Sequence, residues 1–308
     1  MGCPESKIIK QETAVMNLHS FSLMNDIEGD SLPENLPPVF DAHVHFFPDA
    51  LFSSVWNWFD HYGWPIRYKL TSEEIIQFYE EKGVTGILGL HYAHKPGMAR
   101  ELNRYMARLS KKHPMVTGTA TVFPGENDAG EILKEGKELG LAGIKLHAHV
   151  QCFDLSGKAF LHVCETAAKL DMPLVLHGGR EPKSPAYACD PYAMCDAGKI
   201  KTVLDRFPEL KMVMCHLGAD EYKAYHRMAF DHENLWLDTA MIFSDYLPFD
   251  LPVPIKNWRL DRIIYGTDFP NIPYAWDREI KALRTMELSG EDMAMIFREN
   301  AKSLFIKG

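Results

Sequence analysis

The strongest constraint on the fold is a rhythm. Eight short runs of aliphatic and β-branched residues recur along the chain: VFDAHVH (39–45), VTGILGLHY (84–92), MVTGTATVF (115–123), AGIKLHAHV (142–150), PLVLHGG (173–179), KMVMCHLG (211–218), LWLDTA (235–240) and RIIYGTDFP (262–270). Each is nearly continuous in apolar character, the pattern of strands buried on both faces of a parallel sheet. Amphipathic segments separate most of them. TSEEIIQFYEEKG has a Thr/Ser start and a Gly stop, AGEILKEGKELG ends on Gly, and KAFLHVCETAAKL, AGKIKTVLDRFPEL and DREIKALRTMEL keep helical spacing. A last segment, SGEDMAMIFRENAKSLF, opens on a capping-type Ser. Eight strands with intervening helices over about 230 residues predict a (β/α)8 barrel, for which about 250 residues is typical. An open doubly wound sheet fits less well, because no Gly-rich phosphate loop follows the first run.

The rhythm begins at Val39, so residues 1–38 read as an N-terminal extension ending in the helix-breaking LPENLPP, and 39–308 as the barrel. Residues 46–71, between the first strand and the first regular helix, are an aromatic-rich insertion with Trp56, Trp58, Phe59, Tyr62 and Trp64. They are expected to cover the mouth of the barrel, to pack on its rim as a helix, or both.

With 46% hydrophobic and 24% charged residues, the composition is that of a globular protein. No apolar stretch is long enough to span a membrane. A net charge of −9 with no Lys/Arg cluster argues against nucleic acid or an anionic membrane as partner. Six scattered cysteines, with Cys189 and Cys195 the only neighbouring pair, read as free thiols in a reducing, cytoplasmic setting. The N-terminus lacks a signal-peptide core but fits the short Met-Gly-x-x-x-Ser myristoylation pattern at Gly2.

Polar residues fall where such a barrel does its chemistry, at the C-terminal strand ends. These are His43 and His45, His91, His147, His177, His216 and Asp268. One His-x-His pair carries little weight, since 14 histidines in 308 residues produce about 0.6 such pairs by chance and His147/His149 is a second copy. Convergence carries more. An unpaired polar group at a buried strand end costs about 1–3 kcal/mol, and a divalent metal satisfies imidazoles and a carboxylate together.

The set FDAHVHFFP, GIKLHAHVQ, PLVLHGG, FPELKMVMCHLG and IIYGTDFP, in this order over residues 39–305, resembles the amidohydrolase superfamily. Within it the set resembles the amidohydrolase-2 branch, which includes the aminocarboxymuconate-semialdehyde decarboxylase-like enzymes. The resemblance implies one divalent metal held by His43, His45, His177 and Asp268, with zinc the leading candidate on ligand type. It gives His216 a place beside the metal and its water, with a second-metal ligand as the rival role. Several superfamily members carbamylate a strand-four lysine to bridge two metals, which would be Lys145, but this branch is generally mononuclear. Lys145 and His147 then become candidates for binding a substrate carboxylate or carbonyl, and Arg180 for pairing with an anionic substrate. Burial against a neighbour, or an exposed loop position for Arg180, is the alternative for each. His91 and His149 read as buried groups satisfied by their surroundings.

The leading functional expectation is metal-dependent hydrolysis of a small-molecule ester, lactone or amide, with Asp268 moving the proton of a metal-activated water. The alternative is non-oxidative decarboxylation of a small carboxylic acid at the same site. A non-catalytic or metal-free ligand-binding barrel is the reading from another class. Relatives are often dimers, so a homodimer is an open expectation.

Overall fold

In the computed structural model, which describes residues 26–181, 183–246 and 255–306, all eight apolar runs contribute a strand. They are β1 (Phe40–His45), β2 (Gly86–Leu90), β3 (Val116–Ala120), β4 (Gly143–His147), β5 (Leu174–His177), β6 (Met212–Met214), β7 (Leu235–Asp238) and β8 (Ile263–Ile264). They pair in sequence order, every pair parallel. The ring is closed by backbone bonds from β1 to β8 and its following loop: Ala42 N to Tyr265 O at 3.0 Å, Asp268 N to His43 O at 2.9 Å and His45 N to Phe269 O at 2.7 Å. The expected (β/α)8 barrel is the observed fold.

Helices α1 (Asp49–Tyr62), α2 (Ser72–Lys82), α3 (Ala99–Lys112), α4 (Ala129–Glu138), α5 (Lys158–Lys169), α6 (Ala197–Arg206), α7 (Tyr222–Asp231) and α8 (Arg278–Thr285) surround the strands. Their starts follow local chemistry. Thr71 and Glu74 form a reciprocal capping box at α2, and the Asp196 carboxylate accepts from Gly198 and Lys199 N–H at α6. Helix α1 is the aromatic insertion, a rim helix that buries Phe52 and Val55. Helix α7 follows β6, in a stretch where the pattern singled out no helix. Residues 290–305 are helical, and their Ala301, Leu304 and Phe305 join the apolar cluster of Phe40, Leu88, Val175, Val213 and Ile264.

Two local features depart from plain alternation. In β1, Asp41 pairs with Ile87 and Val44 with Gly89, so Ala42 and His43 together face only Leu88. This bulge lets Asp41 accept from Tyr79 of α2 while His45 keeps register with Leu90. Strand β4, read from the sequence to residue 150, ends at His147. Ala148–Gln151 form one helical turn, and the Gln151 side chain accepts the His147 N–H at 2.8 Å. His147 and His149 are therefore not a same-face strand pair.

Residues 26–38 lie against the barrel wall. Gly29 N–H donates to Asp277 at 2.9 Å, Trp276 Nε1 donates to the Gly29 carbonyl at 3.2 Å, and Arg278 pairs with Asp26 at 2.9 Å. The myristoylation pattern at Gly2 lies outside the described residues.

Candidate metal centre

His43 and His45 enter from the end of β1, and Asp268 from the loop after β8. His45 Nε2 lies 2.8 Å from Asp268 Oδ1, and His43 Nε2 lies 3.4 Å from the same oxygen. Backbone proximity makes this possible. A Cβ on Gly266 would sit 2.7 Å from the His43 Cβ, so only glycine fits beneath that imidazole.

The proton positions around His43 decide what the cluster can do. Its Nδ1 lies 2.8 Å from Asp238 Oδ2, a carboxylate that can only accept, so Nδ1 carries the hydrogen. Burial, assisted by Lys145, pushes the imidazole down to about 4 despite Asp238 and Asp268, which leaves His43 neutral at pH 7. Its Nε2 is then a bare lone pair, buried without a hydrogen-bond partner and facing a carboxylate oxygen. Two electron-rich atoms in that relation repel unless a cation lies between them. Two neutral-nitrogen donors and one carboxylate match the protein ligands of catalytic zinc-type centres.

Asp238 is a site residue that the sequence reading passed over. Its other oxygen accepts from His216 N at 2.8 Å and Ala240 N at 3.2 Å. It thereby fixes both the His43 tautomer and the left-handed backbone of His216 (φ 56°). His216 Nδ1 donates to the Ala240 carbonyl at 2.9 Å, and its Nε2 meets His177 Nδ1 at 3.0 Å.

The structure does not draw all the expected residues into one group. The donor atoms of His43, His45 and Asp268 lie within 4.8 Å of one another, whereas His177 falls in a second such group with His147 and His149. Burial pushes His177 down to about 3, and its Nε2 faces Glu181 at 3.4 Å. Lys145 is fully enclosed, with its ammonium donating to Cys215 Sγ at 3.0 Å. Arg180 turns away to the Cys195 carbonyl and Asp196. His91 binds Asn103 at 3.2 Å, outside both groups. Cys189 and Cys195 are unpaired, and Cys189 meets Cys152 instead, both thiols lying on the His149 carbonyl at 3.2 and 3.4 Å.

Aromatic rings line the rim. Phe47 stacks parallel to His45 at 6.1 Å, Tyr92 packs edge-on against His45 and His147 at 5.7 and 4.9 Å, and Trp58 of α1 stacks on Tyr187 at 5.6 Å. Tyr187 in turn lies 5.7 Å from His149. The insertion thus both packs on the rim and meets the loop after β5 above the site. Among the described residues no helix is long and apolar enough to cross a membrane.

Comparison with known proteins gives the family. The family model described as amidohydrolase, of the amidohydrolase-2 type, matches residues 40–306. No curated protein matches the chain. Among solved structures, an uncharacterised TIM-barrel protein from Bordetella bronchiseptica is similar at 16% identity and TM-score 0.67, over 87% of this chain and 98% of that one. A 2,6-dihydroxybenzoate decarboxylase complexed with 2,6-dihydroxybenzoate is similar at 19% identity and TM-score 0.65, over 88% and 99%. A 5-carboxyvanillate decarboxylase from Novosphingobium aromaticivorans, complexed with manganese and 4-hydroxy-3-methoxy-5-nitrobenzoic acid, is similar at 16% identity and TM-score 0.66, over 90% and 98%.

Proposed function

The chain belongs to the amidohydrolase family, and we propose that it is a metal-dependent decarboxylase of a small aromatic carboxylic acid. The observation that carries this is the bare His43 Nε2 set against Asp268 Oδ1 beside His45, under a rim of aromatic rings. A planar acid suits those rings. Both cations expected to receive a substrate carboxylate are engaged elsewhere, Lys145 on Cys215 and Arg180 on Asp196. A metal held by His43, His45 and Asp268 would be the carboxylate's counter-charge. The solved decarboxylases act on acids of this chemical class, and one of them holds manganese, which supports the same reading.

His43, His45 and Asp268, with His177 as the family resemblance implies, would hold the metal, zinc or manganese by donor type and by the solved relative. A divalent metal bound there would supply positive charge for the substrate's oxygens. Asp238 keeps the His43 hydrogen on Nδ1, so that Nε2 stays a donor of electrons. Asp268, ionised at rest, would take a proton from a neighbouring water or substrate hydroxyl and pass it to the ring carbon as that carbon loses its carboxylate as CO₂. His216 has committed its Nδ1 hydrogen to Ala240 and serves as an acceptor at the edge of the site. Phe47, Tyr92, Trp58 and Tyr187 exclude water from the bond being broken.

Hydrolysis is the second reading, because the same Asp268 would act as general base toward an activated water. Purified protein loaded with Mn(II) or Zn(II) and offered hydroxylated benzoates, lactones, esters and amides separates the two. CO₂ release from a benzoate is the expected result. Cleavage of a lactone, ester or amide with no CO₂ from any acid would overturn the proposal.

A further inference from the structure

We infer that Cys152 and Cys189 are a redox modification site, a thiol pair that exchange with a low-molecular-weight disulfide of the glutathione type closes into a cross-link at the barrel mouth. The two sulfurs converge on one atom. Cys152 Sγ lies 3.4 Å and Cys189 Sγ 3.2 Å from the His149 carbonyl oxygen, and the thiols also meet each other. Cys152 ends the helical turn Ala148–Gln151 in the left-handed region, at φ 51° and ψ 52°. Glycine or asparagine is the ordinary occupant of that conformation. Here the strained turn aims a thiol at the loop after β5.

Exposure singles the pair out. Cys152 is exposed and Cys189 half-buried, whereas Cys164, Cys195 and Cys215 are buried. Cys215 is also occupied by the Lys145 ammonium. Burial and the Cys152 thiol push Cys189 up to about 12, so it rests protonated. Cys152, the more accessible, makes the first attack. It loses its proton to water, and its thiolate bonds to one sulfur of glutathione disulfide. That S–S bond breaks, and one glutathione leaves as a thiolate and gains a proton. Cys189 then gives its hydrogen to water and attacks Cys152 Sγ, which expels the second glutathione. Two protein thiols are oxidised and one glutathione disulfide is reduced to two thiols.

The cross-link holds the loop after β5 at a second point. Glu181 already ties the start of that loop to His149 at 2.6 Å, and Cys189 stands near its end. Between them Tyr187 stacks on Trp58 at 5.6 Å and lies 5.7 Å from His149. Oxidation therefore pins the aromatic rim without using a residue proposed to hold the metal.

The test is disulfide mapping on the full chain. Reduced protein is equilibrated in glutathione buffers of rising disulfide fraction, quenched in acid, alkylated in denaturant, digested and read by mass spectrometry. The expected result is one peptide pair joined through Cys152 and Cys189 and released by dithiothreitol, with Cys164, Cys195 and Cys215 alkylated. Cys189→Ser stops with glutathione on Cys152, and Cys152→Ser forms no cross-link; thermal unfolding confirms that both variants are folded. Tryptic cleavage of the native protein after Lys183, exposed in the same loop, slows several-fold in oxidised wild type but not in oxidised Cys189→Ser. Absence of the Cys152–Cys189 link at every buffer ratio, separate glutathione adducts on the two thiols, or pairing of either with Cys3 or Cys195 instead overturns the inference. So does a link that leaves cleavage at Lys183 unchanged, since the loop would then not be pinned.

Discussion

Replacing Asp238 by Asn changes no atom of the metal ligands, yet it should cost metal affinity. The carboxylate takes one hydrogen from His43 Nδ1 on Oδ2, and two from His216 N and Ala240 N on Oδ1. An amide has a single oxygen. If that oxygen stays on the two backbone N–H groups, the amide nitrogen faces His43 Nδ1, which must become an acceptor. The His43 hydrogen then moves to Nε2, the atom the metal needs. If the amide flips, His43 keeps its tautomer but two buried backbone donors face an NH₂ group. Each unsatisfied donor costs about 1–3 kcal/mol, so the flip costs about 2–6 kcal/mol. The first arrangement wins without metal, and binding must reverse it. Loss of an outer partner of this kind typically costs about 10–100-fold in metal affinity, or about 1.4–2.8 kcal/mol. Competition against a chromogenic chelator would measure the loss on Asp238→Asn beside wild type. Thermal unfolding reads separately the cost of leaving the neighbouring Lys145 charge without its anion. Affinity within twofold of wild type would refute the idea that Asp238 keeps His43 Nε2 free.

Asp268→Asn should lower turnover by about 10²–10⁴-fold, the usual contribution of a positioned proton carrier; a wild-type rate in single-turnover assays would remove it from that role. Treatment with a strong chelator should abolish activity, and Mn(II) or Zn(II) should restore it, as assayed by CO₂ release; activity that survives with no metal by elemental analysis would exclude a metal-dependent reaction. His91 is held by burial at about 4 against an ordinary 6.5, so the unfolded chain binds its proton first as pH falls. The stability it protects is complete above about pH 6.5 and is lost on acidification toward about pH 4, by up to about 3 kcal/mol. His91→Gln should flatten that decline in urea unfolding at graded pH; a parallel decline would show that the imidazole is not buried neutral. Trp58→Ala removes the stack on Tyr187, a pair worth about 0.5–1.5 kcal/mol, and should raise KM about 2–10-fold with little change in kcat; an unchanged KM would place the pair outside the binding rim.

The barrel was legible because strands covered on both faces need unbroken apolar runs, and eight of them leave little choice of architecture. Boundaries were less so. The run 142–150 looks uniform as text, but Gln151 captures the His147 N–H and starts a helical turn, which moves His149 off the strand. His43, His45 and Asp268 were readable as polar residues closing apolar runs. Asp238 closes β7 in the same manner and was overlooked, though its signal was equal. Glu181 carried no signal, because it stands in a loop and its importance comes only from how that loop turns back on His149 and His177. Lys145 and Arg180 read as candidates for holding an anionic substrate, but side-chain direction, which spacing does not encode, sends them to Cys215 and to Asp196.

The surplus residue in β1 has a further consequence. A strand whose Ala42 and His43 share one partner on β2 cannot slide along its neighbour without carrying the irregularity with it. Where both imidazoles of that strand sit is therefore settled when the ring of strands zips shut, before any ion arrives. Stripping the protein of metal should silence it while leaving the scaffold ready to be recharged, with no refolding needed in between.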